Sequence, residues 1–167
     1  MKRLLPLFCI LVILFASAGV ASANSSQPDQ FTISGSNTGG DSRTLQSGRT
    51  IYNLTAVGKS QGNLEGDFTG NFTFQEWGSV DFNPATGQGS GLGANTGLMT
   101  ITKAGDPNSQ VIIWFGGPTT LTSVRGNWHV VKGKGSWSDL DGEGTYASVY
   151  VDPITTAFKI TFTGKFD

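Results

Sequence analysis

Cysteine, histidine and charge are all scarce in this chain of 167 residues, which has one cysteine, one histidine and 14% charged residues. With Cys9 alone there is no internal disulfide, and no group of thiolates to hold zinc. With His129 alone, a Ser-His-Asp triad has little to stand on, and the serines show no nucleophile-elbow pattern. No cluster of His, Asp and Glu has metal-ligand spacing. Asp139, Asp141 and Glu143 alternate acids but lack the glycine and distal glutamate of a calcium loop, so they read as a solvated loop. Gly89-Ser90-Gly91-Leu92-Gly93 has the glycines of a phosphate loop, but no helix opens after it. No metal and no cofactor is expected.

Long apolar runs are also missing, apart from one at the start. Lys2 and Arg3 precede an apolar stretch from Leu4 to Phe15, and Ala21-Ser22-Ala23 closes the segment with small residues. This is the pattern of a secretory signal peptide. The run is shorter than the roughly 20 residues that span a bilayer, and no basic cluster follows. The expectation is export, extracellular or periplasmic, with cleavage near Ala23 and no membrane anchor left behind. Cys9 leaves with residues 1–23. Nine basic and twelve acidic residues then remain, a formal charge of −3. That balance offers nothing to nucleic acid.

What remains is rich in glycine, threonine and aromatics. Residues 24–49 are mostly Ser, Gly, Asn, Asp and Gln and read as a flexible N-terminal segment with one short strand at Gln30–Ser34. From Thr50 onward, short alternating runs recur between glycines, and none supports a long amphipathic helix. Strands are expected at 50–59, 63–77 (with 80–82 as a continuation), 87–93, 97–103, 110–115, 121–132, 142–150 and 156–166. Turn residues such as Asn83-Pro84, Asp106-Pro107-Asn108, Gly116-Gly117-Pro118 and Asp152-Pro153 separate several of them. Connections this short leave no room for crossover helices, so neighbours pair antiparallel. The fold class expected is all-β: one domain at 50–167, an eight-stranded up-and-down barrel with a short loop or turn at 134–141.

Alternation assigns the faces. Leu64, Phe68, Phe72 and Phe74 share one side with Gly66 and Gly70, opposite Glu65, Asp67, Thr69, Asn71, Thr73 and Gln75. Phe158, Ile160, Phe162 and Phe166 repeat the pattern against Lys159, Thr161, Thr163 and Lys165. One face is buried and the other is wet.

The stretch Gly133-Lys134-Gly135-Ser136-Trp137-Ser138-Asp139-Leu140-Asp141-Gly142-Glu143-Gly144-Thr145-Tyr146, with Gly126–Val131, Phe158–Asp167 and Gly62–Gly70, resembles the allene oxide cyclase-like barrel superfamily, which includes plant dirigent proteins. The resemblance covers roughly residues 50–167 and is greatest to exported bacterial members. It implies a barrel whose relatives hold a flexible apolar molecule in a hydrophobic cavity, some of them closing rings or steering radical coupling. It carries over no catalytic residue.

The expected cavity lining is Tyr52, Phe68, Phe72, Phe74, Trp114, Trp128, Phe158 and Phe162, which either surround a ligand or plug the barrel themselves. Glu76 continues the even-numbered apolar face. Two placements stay open for it: inward, where it would act as a general acid or hold a polar ligand group, or solvated at a rim beside Gly78. Trp77 and Trp137 lie near turns, as contacts for sugars or a partner or as caps of a barrel end. His129 shares a face with Arg125 and Asn127 and points to solvent. Asn24, Asn53 and Asn71 begin glycosylation sequons. Three functional readings follow: an interior binder of a small apolar molecule; a cyclase or isomerase acting on a lipid- or polyketide-derived polyene through Glu76; and a filled barrel working through its surface, at loops such as 87–97. The oligomeric state stays open.

Overall fold

A computed structural model describes residues 29–62, 68–152 and 157–167, with side chains placed for all of these except 149–152. The expected signal segment 1–23, together with Leu64 and Gly66, lies outside the described residues. Eight strands follow one another: β1 (Asp29–Thr44), β2 (Thr50–Gly62), β3 (Gly70–Val80), β4 (Gly93–Lys103), β5 (Gln110–Thr119), β6 (Ser123–Lys134), β7 (Gly142–Asp152) and β8 (Ala157–Phe166). Each pairs antiparallel with the next, and β1 pairs with β8, which closes the barrel. The loop expected at 134–141 contains a single 3-10 turn, Gly135–Trp137, the only helical element among the described residues.

Four expectations about strands need correction, the first being the turn expected at Gly116-Gly117-Pro118, which lies within β5 and pairs with β4. Residues 29–44 are not a loose leader but β1, the strand that closes the barrel, so the barrel includes residues before Thr50. Only Phe31 and Ile33 mark its inner face with large side chains, which is why its composition reads as loop. Residues 87–92 form a turn-rich connection bridged at Asn83 and Gln88, and β4 starts only at Gly93. There Asp81 accepts hydrogen bonds from the Ser90 hydroxyl and backbone N–H, which draw its pKa below the ordinary value. Phe68 is buried as expected but precedes β3 instead of lying within a strand.

The interior is built from aromatics lying over glycines on neighbouring strands. Phe115 stands opposite Gly97, where an added Cβ would fall 2.4 Å from the Phe115 ring. Phe72 stands opposite Gly58, which stands opposite Gly35, and a Cβ on either glycine would come within 2.8 Å of that ring. Trp128 shares a row with Gly144 and Gly164; its ring would meet a Cβ on Gly164 at 2.7 Å. A glycine opposite each ring lets the ring lie flat across the wall, so a narrow barrel accepts many large side chains.

Five rings stack along the interior. Trp137 lies 5.2 Å from Phe68, Phe68 lies 5.2 Å from Phe31, Phe31 lies 4.5 Å from Phe162, and Phe162 lies 5.5 Å from Tyr146, with interplanar angles between 9° and 24°. Trp137 is buried and closes this end of the barrel. Offset stacking of this kind adds about 0.5–1.5 kcal/mol per pair beyond burial itself. The Trp128 indole N–H reaches the carbonyls of Thr145 at 3.1 Å and Thr163 at 3.3 Å, so its one polar group is satisfied.

Candidate functional site

The opposite end of the interior is polar. Strict alternation along β3 turns Phe72, Phe74 and Glu76 inward, and Glu76 is 5% exposed. Its carboxyl is thus not at a solvated rim. β3 continues to Val80, four residues beyond Glu76, which keeps it inside the wall. Tyr52 Oη donates to Glu76 Oε1 at 2.9 Å. Tyr52, Gly78 and Asn95 occupy one row, and the phenol ring covers Gly78. From the far side Tyr146 Oη donates to Asn95 Oδ1 at 3.0 Å. The stack of five rings therefore ends in a polar chain of Tyr146, Asn95, Glu76 and Tyr52.

Burial pushes the Glu76 pKa above the ordinary carboxyl value, and the neighbouring Tyr52 hydroxyl and Asn95 amide offset only part of that rise. The Asn95 amide nitrogen lies close enough to favour the charged carboxylate, yet it closes no hydrogen bond of good geometry among the described residues. The Tyr146 phenol is also pushed well up, first by burial and further by the nearby Glu76 charge, so it stays protonated and acts as a donor. Beside Glu76 is a void of about 10 Å³, lined by Asn37, Leu54, Phe74, Val124, Ser148, Phe158 and Ile160. That is room for about one water molecule.

Of the expected lining residues, Phe68, Phe72, Phe74, Trp128, Phe158 and Phe162 do point inward and are buried. They pack on one another, and the void seen among the described interior residues is the small one beside Glu76. Tyr52 is half-buried and serves Glu76 with its hydroxyl. Trp114 is the exception and corrects the expectation: β5 buries Val111, Ile113 and Phe115, which turns Ile112 and Trp114 outward.

Outside, Trp114 stacks on His129 with ring centroids 5.1 Å apart at 26°. The pairing register runs one outward row through Gln75, Leu98, Trp114, His129, Glu143 and Lys165 on six successive strands. Gly116 leaves the floor beneath the indole open, since a Cβ there would meet the Trp114 ring at 2.8 Å. Trp77 is 45% exposed and shares the next row with Thr96, Gly116 and Asn127. His129 also borders a groove of about 1020 Å³ on the outer wall. This groove opens where β6 outruns β7: their pairing stops at His129 and Glu143 while β6 continues to Lys134. Asn127, Asp141, Glu143, Thr145, Lys165 and Asp167 line it. Alternation correctly turned His129 outward. Trp114 carries no such signal, because the run from Val111 to Phe115 is apolar on both faces.

Among the described residues no group of His, Cys, Asp and Glu is arranged to hold a metal ion, and no helix is long and apolar enough to cross a membrane. No family model and no curated protein matches the chain.

Proposed function

We propose that the protein is an exported barrel of allene oxide cyclase-like outline whose interior is filled by its own rings, and that it works as a binding module through its outer wall. The occupant we assign to the groove beside His129 is a neutral, hydroxyl-rich carbohydrate. The observation that carries this reading is the Trp114–His129 stack on the solvent side of the wall, beside the groove. An indole face next to carboxylates and amides suits a sugar ring, whose apolar C–H face stacks while its hydroxyls bond to Asn127, Glu143 and Asp167. An interior ligand would have to displace packed phenyl and indole rings, because the void at Glu76 admits only a water.

Titration with soluble oligosaccharides, followed by tryptophan fluorescence, tests the proposal. Saturable binding that is lost in Trp114→Ala and kept in Glu76→Gln supports it. Lipid-like mass retained by the native protein in mass spectrometry, with no sugar binding, overturns it in favour of an interior ligand.

The buried Glu76 favours a second reading, in which the polar end receives the hydroxyl of a small molecule in place of the water. Asn95, whose amide nitrogen closes no hydrogen bond, is the donor such a group would meet. Glu76→Gln should then weaken binding while Trp114→Ala leaves it unchanged.

A further inference from the structure

Among the described residues, β8 pairs with only half of β1. β1 pairs with β2 along its length, from Phe31 opposite Gly62 to Thr44 opposite Thr50. Among the described residues, its pairing with β8 runs only from Asp29 to Ser36, which stands opposite Ala157. There Asp152 stands opposite Ala157, the last pair between β7 and β8 among the described residues. All ten residues from Thr38 to Ser47 are exposed. Among the described residues, Gly39 to Thr44 is therefore a sheet edge paired on one side only, which is a template for a further strand.

We propose that this edge pairs with the same edge of a second copy of the chain, antiparallel about a two-fold axis at Ser42. In that register Asp41 of each copy stands opposite Arg43 of the other, so one arrangement makes two attractive charge pairs. Gly40 faces Thr44, Gly39 faces Leu45, and Ser42 faces itself, so small side chains meet at the axis. The irregularity between Asn37 and Gly39 supports this geometry. It shifts the alternation so that Gly40 and Ser42 follow the inward residues Leu54 and Tyr52 across the pair, while Asp41 and Arg43 both lie on the outer face. The two charges thus share a face, as cross-strand pairing requires. An isologous contact of this kind is self-limiting and closes at a dimer.

Sedimentation over a concentration series is the direct measurement, with circular dichroism to confirm that each variant keeps its strands. The native protein should show a weak, reversible dimer. Asp41→Arg or Arg43→Asp alone replaces two attractive pairs with two repulsive ones and should weaken association by about tenfold or more. The double variant carrying both changes restores the pairs with their signs exchanged and should recover the dimer. Ser42→Cys, with Cys9 replaced by Ser, should give a disulfide-linked dimer under mild oxidation, because residues facing each other at the axis lie within disulfide range. A protein that is monomeric throughout, or a dimer indifferent to both charge reversals, overturns the proposal.

Discussion

The two ends of the barrel interior solve the same filling problem with different chemistry. At the Trp137 end, Phe31, Phe68, Phe162 and Trp128 are all 1% exposed or less, and the Trp128 N–H, the one polar group they bring inside, donates to two backbone carbonyls. At the Glu76 end, two phenols, an amide and a carboxyl are drawn into the wall beside a water-sized void. Apolar packing tolerates small errors of placement, because dispersion and burial have little directionality. The polar end does not: a donor such as Asn95 Nδ2 that closes no hydrogen bond carries the cost of its lost hydration. The aromatic end should thus dominate stability, and the polar end should respond to pH and to single-atom changes.

The sharpest break in that comparison is Trp128→Ala. It empties the largest fully buried side chain and strips Thr145 and Thr163 of an interior donor, so a loss of about 3–5 kcal/mol is expected in urea unfolding. Tyr146→Phe keeps the ring that ends the stack and removes only the hydroxyl on Asn95, so about 1–3 kcal/mol should be lost. If the Tyr146 change costs as much as the tryptophan, the polar end is the structural keystone and the division drawn here fails. Trp114→Ala is the control from the outer wall. Its ring lies on the surface against His129, and about 1 kcal/mol or less should be lost.

Those two tryptophans also show how far alternation reads. Trp128 falls in phase with Val124, and both are buried. β6 then bulges opposite Ile112 and Ile113, so the phase does not carry to the end of the strand. Trp114 sits in a run, Val111 to Phe115, that is apolar on both faces, so alternation alone gave it no preferred side. Only the flanking pair Ile113 and Phe115, both fully or nearly buried, decides the matter. β1 was illegible for a related reason. Past Ser36 it pairs with one neighbour among the described residues, and its side chains are exposed from Thr38 onward, so polar residues suit it as well as they suit a loop. The paired register that sets Tyr52, Glu76, Asn95 and Tyr146 together is long-range information. Each residue is visible in the sequence, but their meeting across four strands is not.

The subtlest test replaces one oxygen by nitrogen at Glu76. In the unfolded chain this carboxyl titrates at its ordinary value; in the barrel, burial raises its pKa, and the Tyr52 hydrogen bond and the nearby Asn95 amide reverse only part of the rise. Below the ordinary value the group is protonated in both states, and its contribution to stability is fully present. As the pH climbs, the unfolded chain ionises first and the folded state loses stability until the raised pKa has been passed. Gln resembles the protonated acid and does not titrate. The stability of Glu76→Gln minus that of the native protein should therefore be flat in acid, rise across the interval between the two pKa values, and level off above it. Chemical denaturation at a series of pH values reads this curve. A difference that falls with pH would mean that the barrel favours the charged carboxylate, so that the Tyr52 hydrogen bond and the Asn95 amide outweigh burial.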